Sequence, residues 1–350
     1  MKPRGAVKIA ILAPEHALGW TIMGPADMLR AAGSLWAGLE GRERAEGDFE
    51  VEVVGRTGQP VSCFMGARLL PEVSLDDPLY RPDVVIVPAM FEESVRFGRS
   101  GWSAPWTPFV QWIARQHERG AMVVGISTGV ALLAETGLLD GRDATTHWAM
   151  LDAMAGNYRR VNFLRTAQVQ PAGAGSRLLT TAGGTAWQSM VLLLVARFSG
   201  GEHAVELARL FATTWPTLTS PGFSAFLPAT DHGDAQVSRA QRHIASHFAE
   251  ADCLIAAAAY ARLSRRTFER RFRAATGYSP LAYLQEVRMQ RARVLLESTP
   301  NSVESVAVTV GYSDLPHFRT LFNRMCGSTP SRYRELYGYL AQVQMTLATI

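Results

Sequence analysis

The last third of the chain carries an internal repeat, and that repeat limits the fold more than any other feature. Residues 256–272 (AAAAYARLSRRTFERRF) lie over residues 306–322 (VAVTVGYSDLPHFRTLF) at an offset of 50. Ala257 then matches Ala307, Tyr260 matches Val310, Ala261 matches Gly311, Phe268 matches Phe318 and Phe272 matches Phe322. Two helices joined by a tight turn need a small residue at their crossing and a left-handed-tolerant residue in the turn. They also need a cap and an apolar inner face on the second helix. Ala257 and Ala307 fit the crossing; Gly311 fits the turn well and Ala261 less well. Ser264 and Asp314 are the expected caps, with Pro316 tolerated in the first turn. The four phenylalanines form the two inner faces. The pattern predicts two helix-turn-helix units.

Charge concentrates in the same region. Residues 236–335 hold 15 Arg, no Lys and 8 acidic residues, a net charge of +7. The remainder holds 20 basic and 23 acidic residues, a net charge of −3. Basic charge gathered in one segment is the electrostatic footprint of a nucleic-acid binder. The outward positions of the two second helices hold Arg265, Arg266, Glu269, Arg270 and Arg273, then His317, Arg319, Thr320, Asn323 and Arg324. These groups can bond base edges and phosphates; the other reading of the charge is a solvated surface that is rich in Arg.

The first part of the chain alternates short apolar runs with amphipathic stretches. Strands are expected over 7–13, 49–55, 83–88, 121–126 and 178–181. Helices are expected over 24–32, 109–119, 129–135 and 187–198, with 203–211 extending the helical pattern. Such alternation implies a parallel sheet covered on both faces. Residues 215–234 gather Pro216, Pro221, Pro228, Gly222 and Gly233 among Ser and Thr, the composition of a linker. Three widely spaced cysteines, Cys63, Cys253 and Cys326, suggest neither a disulfide framework nor a zinc site. No apolar run approaches the roughly 20 residues that span a bilayer, and the N-terminus lacks the features of a secretory signal. The expectation is a cytoplasmic protein with no metal and no cofactor.

The C-terminal stretch strongly resembles the AraC/XylS family of transcription regulators over about 236–335. The motifs F-x-R-x-F, TG-x-SP, R-x-x-x-A-R-x-L-L, VGY-x-D-x-x-x-F and G-x-TP-x-x-YR occur in order. The resemblance implies a long helix, here 280–296, that holds the two units apart so that their recognition helices enter successive major grooves, roughly 34 Å apart. By position it makes Arg266, Glu269 and Arg270 the base readers of the first unit. Leu315, Pro316, Arg319 and Thr320 take the matching places in the second.

Residues 123–148 (VVGISTGVALLAETGLLDGRDATTHW) resemble the ThiJ/PfpI, or class I glutamine-amidotransferase-like, superfamily, and the resemblance spans about 7–198. It implies a flavodoxin-like fold with a sharp strand-to-helix elbow that lifts one side chain above a helix N-terminus. Enzymes of that superfamily carry Cys at the elbow, where this chain has Ser127. The acidic partner expected before Pro25 and Asp27 is replaced by Thr21 or Trp20, with Glu15 too early. The oxyanion-hole Gly-Gly is Ala89–Met90. The 180–189 segment (TTAGGTAWQS) departs from the superfamily's small-residue and Asp pattern at Trp187 and Ser189. The chain therefore reads as a non-enzyme in which Ser127, Thr128, Gly129, His147 and Trp148 are candidate ligand-binding residues. Trp20, Trp36, Trp148 and Trp187 are candidates for a cation–π wall.

The whole reads as an α/β flavodoxin-like parallel-sheet domain followed by an all-α domain with two helix-turn-helix units. The expected divisions are a sensing and dimerisation domain over 1–200, a helical extension and linker over 201–235, the DNA-binding domain over 236–335 and a tail over 336–350. Expected partners are double-stranded DNA, a small-molecule effector that the resemblance makes an amine or amino-acid derivative, a second copy of the chain, and RNA polymerase. Two other readings stand beside this one: a serine-dependent hydrolase or amidase fused to a DNA-binding tail, and a first domain that only dimerises.

Overall fold

The computed structural model describes residues 6–35, 48–91, 106–165, 167–172, 175, 177–183, 185–213 and 232–338. Trp36, most of the 215–234 linker and the tail beyond Gly338 lie outside the described residues. The chain separates into two compact units, 1–220 and 221–350.

In the N-terminal unit the order is β1 (Val7–Leu12), α1 (Trp20–Ala31), β2 (Phe49–Gly55), β3 (Val61–Ser62), β4 (Arg68–Leu69), β5 (Val73–Ser74), β6 (Val84–Val87), α2 (Thr107–Glu118), β7 (Met122–Ile126), α3 (Val130–Glu135), β8 (Asp143–Ala144), α4 (Leu151–Asn157), β9 (Asn162–Phe163), β10 (Val169–Ala172), β11 (Leu178–Thr181), α5 (Ala186–Phe198) and α6 (Gly201–Leu210). Among the described residues seven strands form one sheet in the order β10-β11-β7-β6-β1-β2-β5. All neighbours are parallel except β10 on β11 at the edge. The sheet is thus mostly parallel, with one antiparallel strand that the apolar pattern did not announce.

The central strands carry apolar residues at every position because both faces are covered. Ile9, Ile11, Leu12, Val84, Val85, Ile86, Val87, Val123 and Val124 are fully buried. Register places Ile11 beside Ile86 and Val87 beside Gly125. The chain runs outward from β1 to β2 on one side and from β6 through β7 to β11 on the other. Strand order therefore reverses between β1 and β6, and the crevice at the carboxyl ends of such strands is where this class of sheet places its sites. Ala204 and Leu207 of α6 join this unit's core.

The C-terminal unit is entirely helical among the described residues: α7 (Ala235–His247), α8 (Cys253–Tyr260), α9 (Arg265–Thr276), α10 (Pro280–Ser298), α11 (Val303–Thr309), α12 (Leu315–Cys326) and α13 (Pro330–Tyr337). Two cores repeat one design. Phe268, Phe272 and Tyr283 are packed edge to face in the first, with ring centroids 5.2 and 5.0 Å apart. Phe318, Phe322 and Tyr333 follow one another in the second at 5.7 and 5.4 Å. Side chains cap the helices as the repeat predicts. Ser264 accepts from the Thr267 N–H at 3.4 Å, and Asp314 from the His317 N–H at 3.1 Å. Helices α9 and α12 both end on a left-handed glycine, Gly277 and Gly327.

The turns require a correction to the repeat. In the first, Arg262 has φ 54°, and the Leu263 N–H bonds the Ala258 carbonyl. In the second, Gly311 has φ 88°, and the Tyr312 N–H bonds the Ala307 carbonyl. Ala258, not Ala257, therefore stands where Ala307 does, and Arg262, not Ala261, takes the place of Gly311, both at an offset of 49. The second helices begin at Arg265 and Leu315, back at an offset of 50, so the second turn is one residue longer.

Candidate functional site

The elbow forms where β7 ends. Ser127 takes φ 56° in a short 3-10 turn, Ser127–Gly129, before α3. A non-glycine residue there is strained, and the turn is held from several sides. The Thr146 hydroxyl donates to the Ser127 carbonyl at 2.7 Å. Gly129 lies so close to the end of β6 that a Cβ would stand 2.2 Å from the Pro88 carbonyl oxygen. The Ser127 side chain is almost fully buried.

The groups around it are engaged with one another. The Ala89 N–H donates to the Thr21 hydroxyl at 3.1 Å, and Thr21 donates to the Leu18 carbonyl at 2.7 Å. The Met90 N–H donates to the Thr128 hydroxyl at 2.8 Å, and that hydroxyl donates back to the Met90 carbonyl at 2.6 Å. The Ala89 and Met90 N–H groups therefore each already have an acceptor. His147 accepts the Ala149 N–H on Nδ1 at 3.3 Å, and no hydrogen bond joins it to the Ser127 hydroxyl among the described residues. Burial holds the His147 imidazole below the usual histidine range, so it is neutral near pH 7. Its ring lies against Gly183, where a Cβ would stand 1.9 Å from Cδ2. Trp148 packs on it with centroids 5.1 Å apart.

Of the tryptophans, Trp20 and Trp187 meet edge to face at 6.2 Å across the α1 and α5 starts. The benzo edge of Trp187 covers Gly24. The three cysteines are buried and free, and burial pushes the Cys253 and Cys326 thiols up to about 11. No group of His, Cys, Asp and Glu among the described residues could hold a metal. None of the described helices is long and apolar enough to cross a membrane.

In the C-terminal unit all twelve candidate DNA contacts fall on α9 and α12. Arg265, Arg266, Glu269, Arg270 and Arg273 are exposed, as are Pro316, His317, Arg319, Thr320, Asn323 and Arg324. Leu315 is half-buried against the second core. Arg266 and Arg270 lie one turn apart on the side of α9 away from Phe268 and Phe272. Two neighbours are already occupied. Arg265 pairs with Glu269 at 3.3 Å, and Arg319 pairs with Glu304 at 2.9 Å. Arg271, on the flank of α9, forks onto Asp234 at 2.7 and 2.9 Å instead of facing outward.

Sequence reasoning did not find the hydroxyls of Thr21 and Thr128, because nothing in a threonine's surroundings in the chain says which backbone group it will meet. It did not find Arg271's partner either, since Asp234 lies at the edge of the segment read as linker.

Residues 7–196 match the model of the DJ-1/PfpI family, and residues 257–336 match that of a helix-turn-helix domain. The HTH-type transcriptional regulator CdhR of Pseudomonas aeruginosa is 28% identical over 332 residues, covering 91% of this chain and 89% of that protein. The HTH-type transcriptional regulator GlxA of Rhizobium meliloti is 29% identical over 231 residues, 65% of this chain and 69% of its own length. Among solved structures, a ThiJ/PfpI family protein from Pseudomonas syringae aligns with a TM-score of 0.48 at 20% identity, over 73% of this chain and 91% of that one.

Proposed function

The chain belongs to the DJ-1/PfpI family and is an AraC-type DNA-binding transcription regulator, and from that premise we propose that its N-terminal unit is a non-catalytic sensor of a small metabolite. The observation that carries the reading is the engagement of the Ala89 and Met90 N–H groups by the Thr21 and Thr128 hydroxyls. An oxyanion hole works through donors aimed at the place where charge develops, and here those donors already have acceptors. A serine nucleophile needs a base within hydrogen-bond reach, and the Nδ1 of His147 accepts the Ala149 N–H, which leaves the proton of the neutral ring on Nε2. What is left is a turn that binds. Ser127, Thr128, Gly129, His147 and Trp148 are the contact candidates, and an amine or amino-acid derivative is the ligand class. Occupancy shifts the balance between arrangements of a cytoplasmic homodimer on its DNA half-sites. In the C-terminal unit Arg266, Glu269, Arg270, Arg319 and Thr320 read bases, and Arg265, Arg273 and Arg324 hold phosphates.

The strained backbone of Ser127 is the one hydrolase feature that persists, and it sets the test. A serine-reactive phosphonate probe is expected to leave the protein unlabelled. Labelling that disappears in Ser127→Ala would restore the hydrolase reading. A thermal-shift screen of amines and amino acids is expected to return at least one stabilising compound, whereas a flat response across the panel favours a domain that only dimerises.

A further inference from the structure

We propose that Arg288 is the positioning residue that fixes the phase between the two recognition helices, and so the half-site spacing this protein accepts. The inference rests on the reading of α9 and α12 as DNA-reading helices. The long helix α10 serves both cores. Tyr283 and Leu284 are buried in the first, and Met289, Ala292 and Leu296 in the second. A helix fixes separation along its axis through its rise of about 1.5 Å per residue. Its turn of about 100° per residue also sets the rotation between the faces on which the two cores pack. A single helix yields to twisting, so side contacts between the units brace that rotation, and Arg288 bridges them.

The Arg288 Nε donates to the Phe248 carbonyl at 2.7 Å, and a terminal nitrogen donates to the Glu250 carbonyl at 3.0 Å. Both carbonyls belong to the α7–α8 connection that leads into the first helix-turn-helix. The same guanidinium lies over the Tyr312 ring, 5.2 Å from its centroid. Tyr312 belongs to the turn of the second, and its ring meets His317 at 6.0 Å and Phe318 at 5.5 Å in the first turn of α12. One planar group thus ties the first unit's loop to the start of the second recognition helix.

Two further contacts close the joint. Phe248 packs against both cores. Gly311 meets the same loop so closely that a Cβ would lie 2.5 Å from the Ala249 carbonyl oxygen. A guanidinium holds two carbonyls and a ring in fixed directions because its fork is rigid. A lysine keeps the charge but not the fork. With the joint locked, a duplex altered by one base pair between half-sites turns the second site by about 34° away from its helix.

The test uses the full-length protein and a duplex recovered by selection from a random-sequence library. One or two base pairs are then inserted or deleted between the contacted half-sites. The wild type is expected to lose roughly tenfold in affinity per base pair of altered spacing, a loss like that for a mismatched base. Arg288→Lys and, independently, Tyr312→Leu are expected to bind the original duplex more weakly and to show a flattened profile, with under about threefold between spacings. Binding to a single half-site is expected to stay within about twofold of wild type. A variant that keeps the wild-type profile, or loses affinity equally at every spacing and on the single half-site, overturns the assignment. Tyr312→Leu leaves Arg288 and its two carbonyls in place, so a variant that does not fold does not decide the matter alone. Recovery of no duplex at all overturns the DNA reading together with it.

Discussion

Arg262 and Gly311 hold the same left-handed place in the two turns, yet they meet different neighbours. Gly311 answers two demands at once, a positive φ and the approach of the Ala249 carbonyl. Arg262 meets only the first, and its side chain is exposed. Gly311→Ala is therefore expected to destabilise the C-terminal unit by more than the roughly 1–2 kcal/mol of left-handed strain alone. Arg262→Gly is expected to be neutral or to stabilise by up to about 1 kcal/mol. Urea unfolding followed by helical circular dichroism measures both, and equal losses in the two variants would contradict the argument. Gly311 could be read in advance because glycine advertises its conformation. Arg262 could not, because tertiary packing imposes a left-handed backbone on it without a mark in the residue type. On the exposed face, Arg266 and Arg270 have no acidic partner among the described residues, unlike Arg265 and Arg319. The double change to Ala is expected to cost about 1–3 kcal/mol per lost base contact. Undiminished binding of the selected duplex in a gel-shift titration would remove them from the interface.

Elements were legible where their pattern was long and their environment uniform. The strands Phe49–Gly55 and Leu178–Thr181 match their expected bounds, and α5 differs by one residue. The edge strand Val169–Ala172 was missed because Pro171 argues against a strand, and only an edge position tolerates it. Helix α1 begins at Trp20, four residues before its expected start, with Pro25 inside it. That lost first turn holds Thr21, so the engagement of the Ala89 N–H was lost with it. Helix α7 starts where the linker reading ends, and its cap depends on charge. Asp234 accepts from the Gln236 and Val237 N–H groups and from the Arg271 fork. Burial raises its carboxyl pKa, but these hydrogen bonds and the guanidinium outweigh burial and hold it below the usual range. A carboxylate depressed in the folded state contributes stability above its ordinary pKa near 3.9, and loses it as pH falls below that value. The urea midpoint of the wild type should therefore fall below about pH 4 more steeply than that of Asp234→Ser, which keeps a cap but not the charge. Parallel curves for the two proteins would show that Asp234 does not carry the effect.

At the scale of the molecule, the two units divide the charge as they divide the work. The C-terminal unit, 221–350, holds 15 basic and 10 acidic residues, a net +5, against 20 and 21, a net −1, for 1–220, so the phosphate backbone attracts one unit and not the other. Some of that positive charge is turned inward. Arg271 is bound to Asp234 and Arg288 to backbone carbonyls, and Arg293 is buried on α10. Arg265, Arg266, Arg270, Arg273 and Arg324 remain exposed on the two recognition helices, and Arg319 joins them once a base edge competes with Glu304 in its exposed pair. Arg265, Arg273 and Arg324, the three assigned to phosphates, release condensed counterions, and log K should fall against log salt with a slope of about −3 per DNA-binding unit. The N-terminal unit contributes no such slope, so its deletion is expected to change affinity through loss of dimerisation while leaving the slope per DNA-binding unit unchanged. The measurement is fluorescence anisotropy on the selected duplex across a salt series, with Arg266→Ala in parallel. Because Arg266 is assigned to a base edge, Arg266→Ala should weaken binding at every salt concentration with little change in slope, whereas Arg273→Ala should flatten the slope by about one unit. A wild-type slope shallower than about −2 per DNA-binding unit would mean that fewer than three phosphates are neutralised. Two recognition helices seated in successive grooves could not then be the source of the affinity.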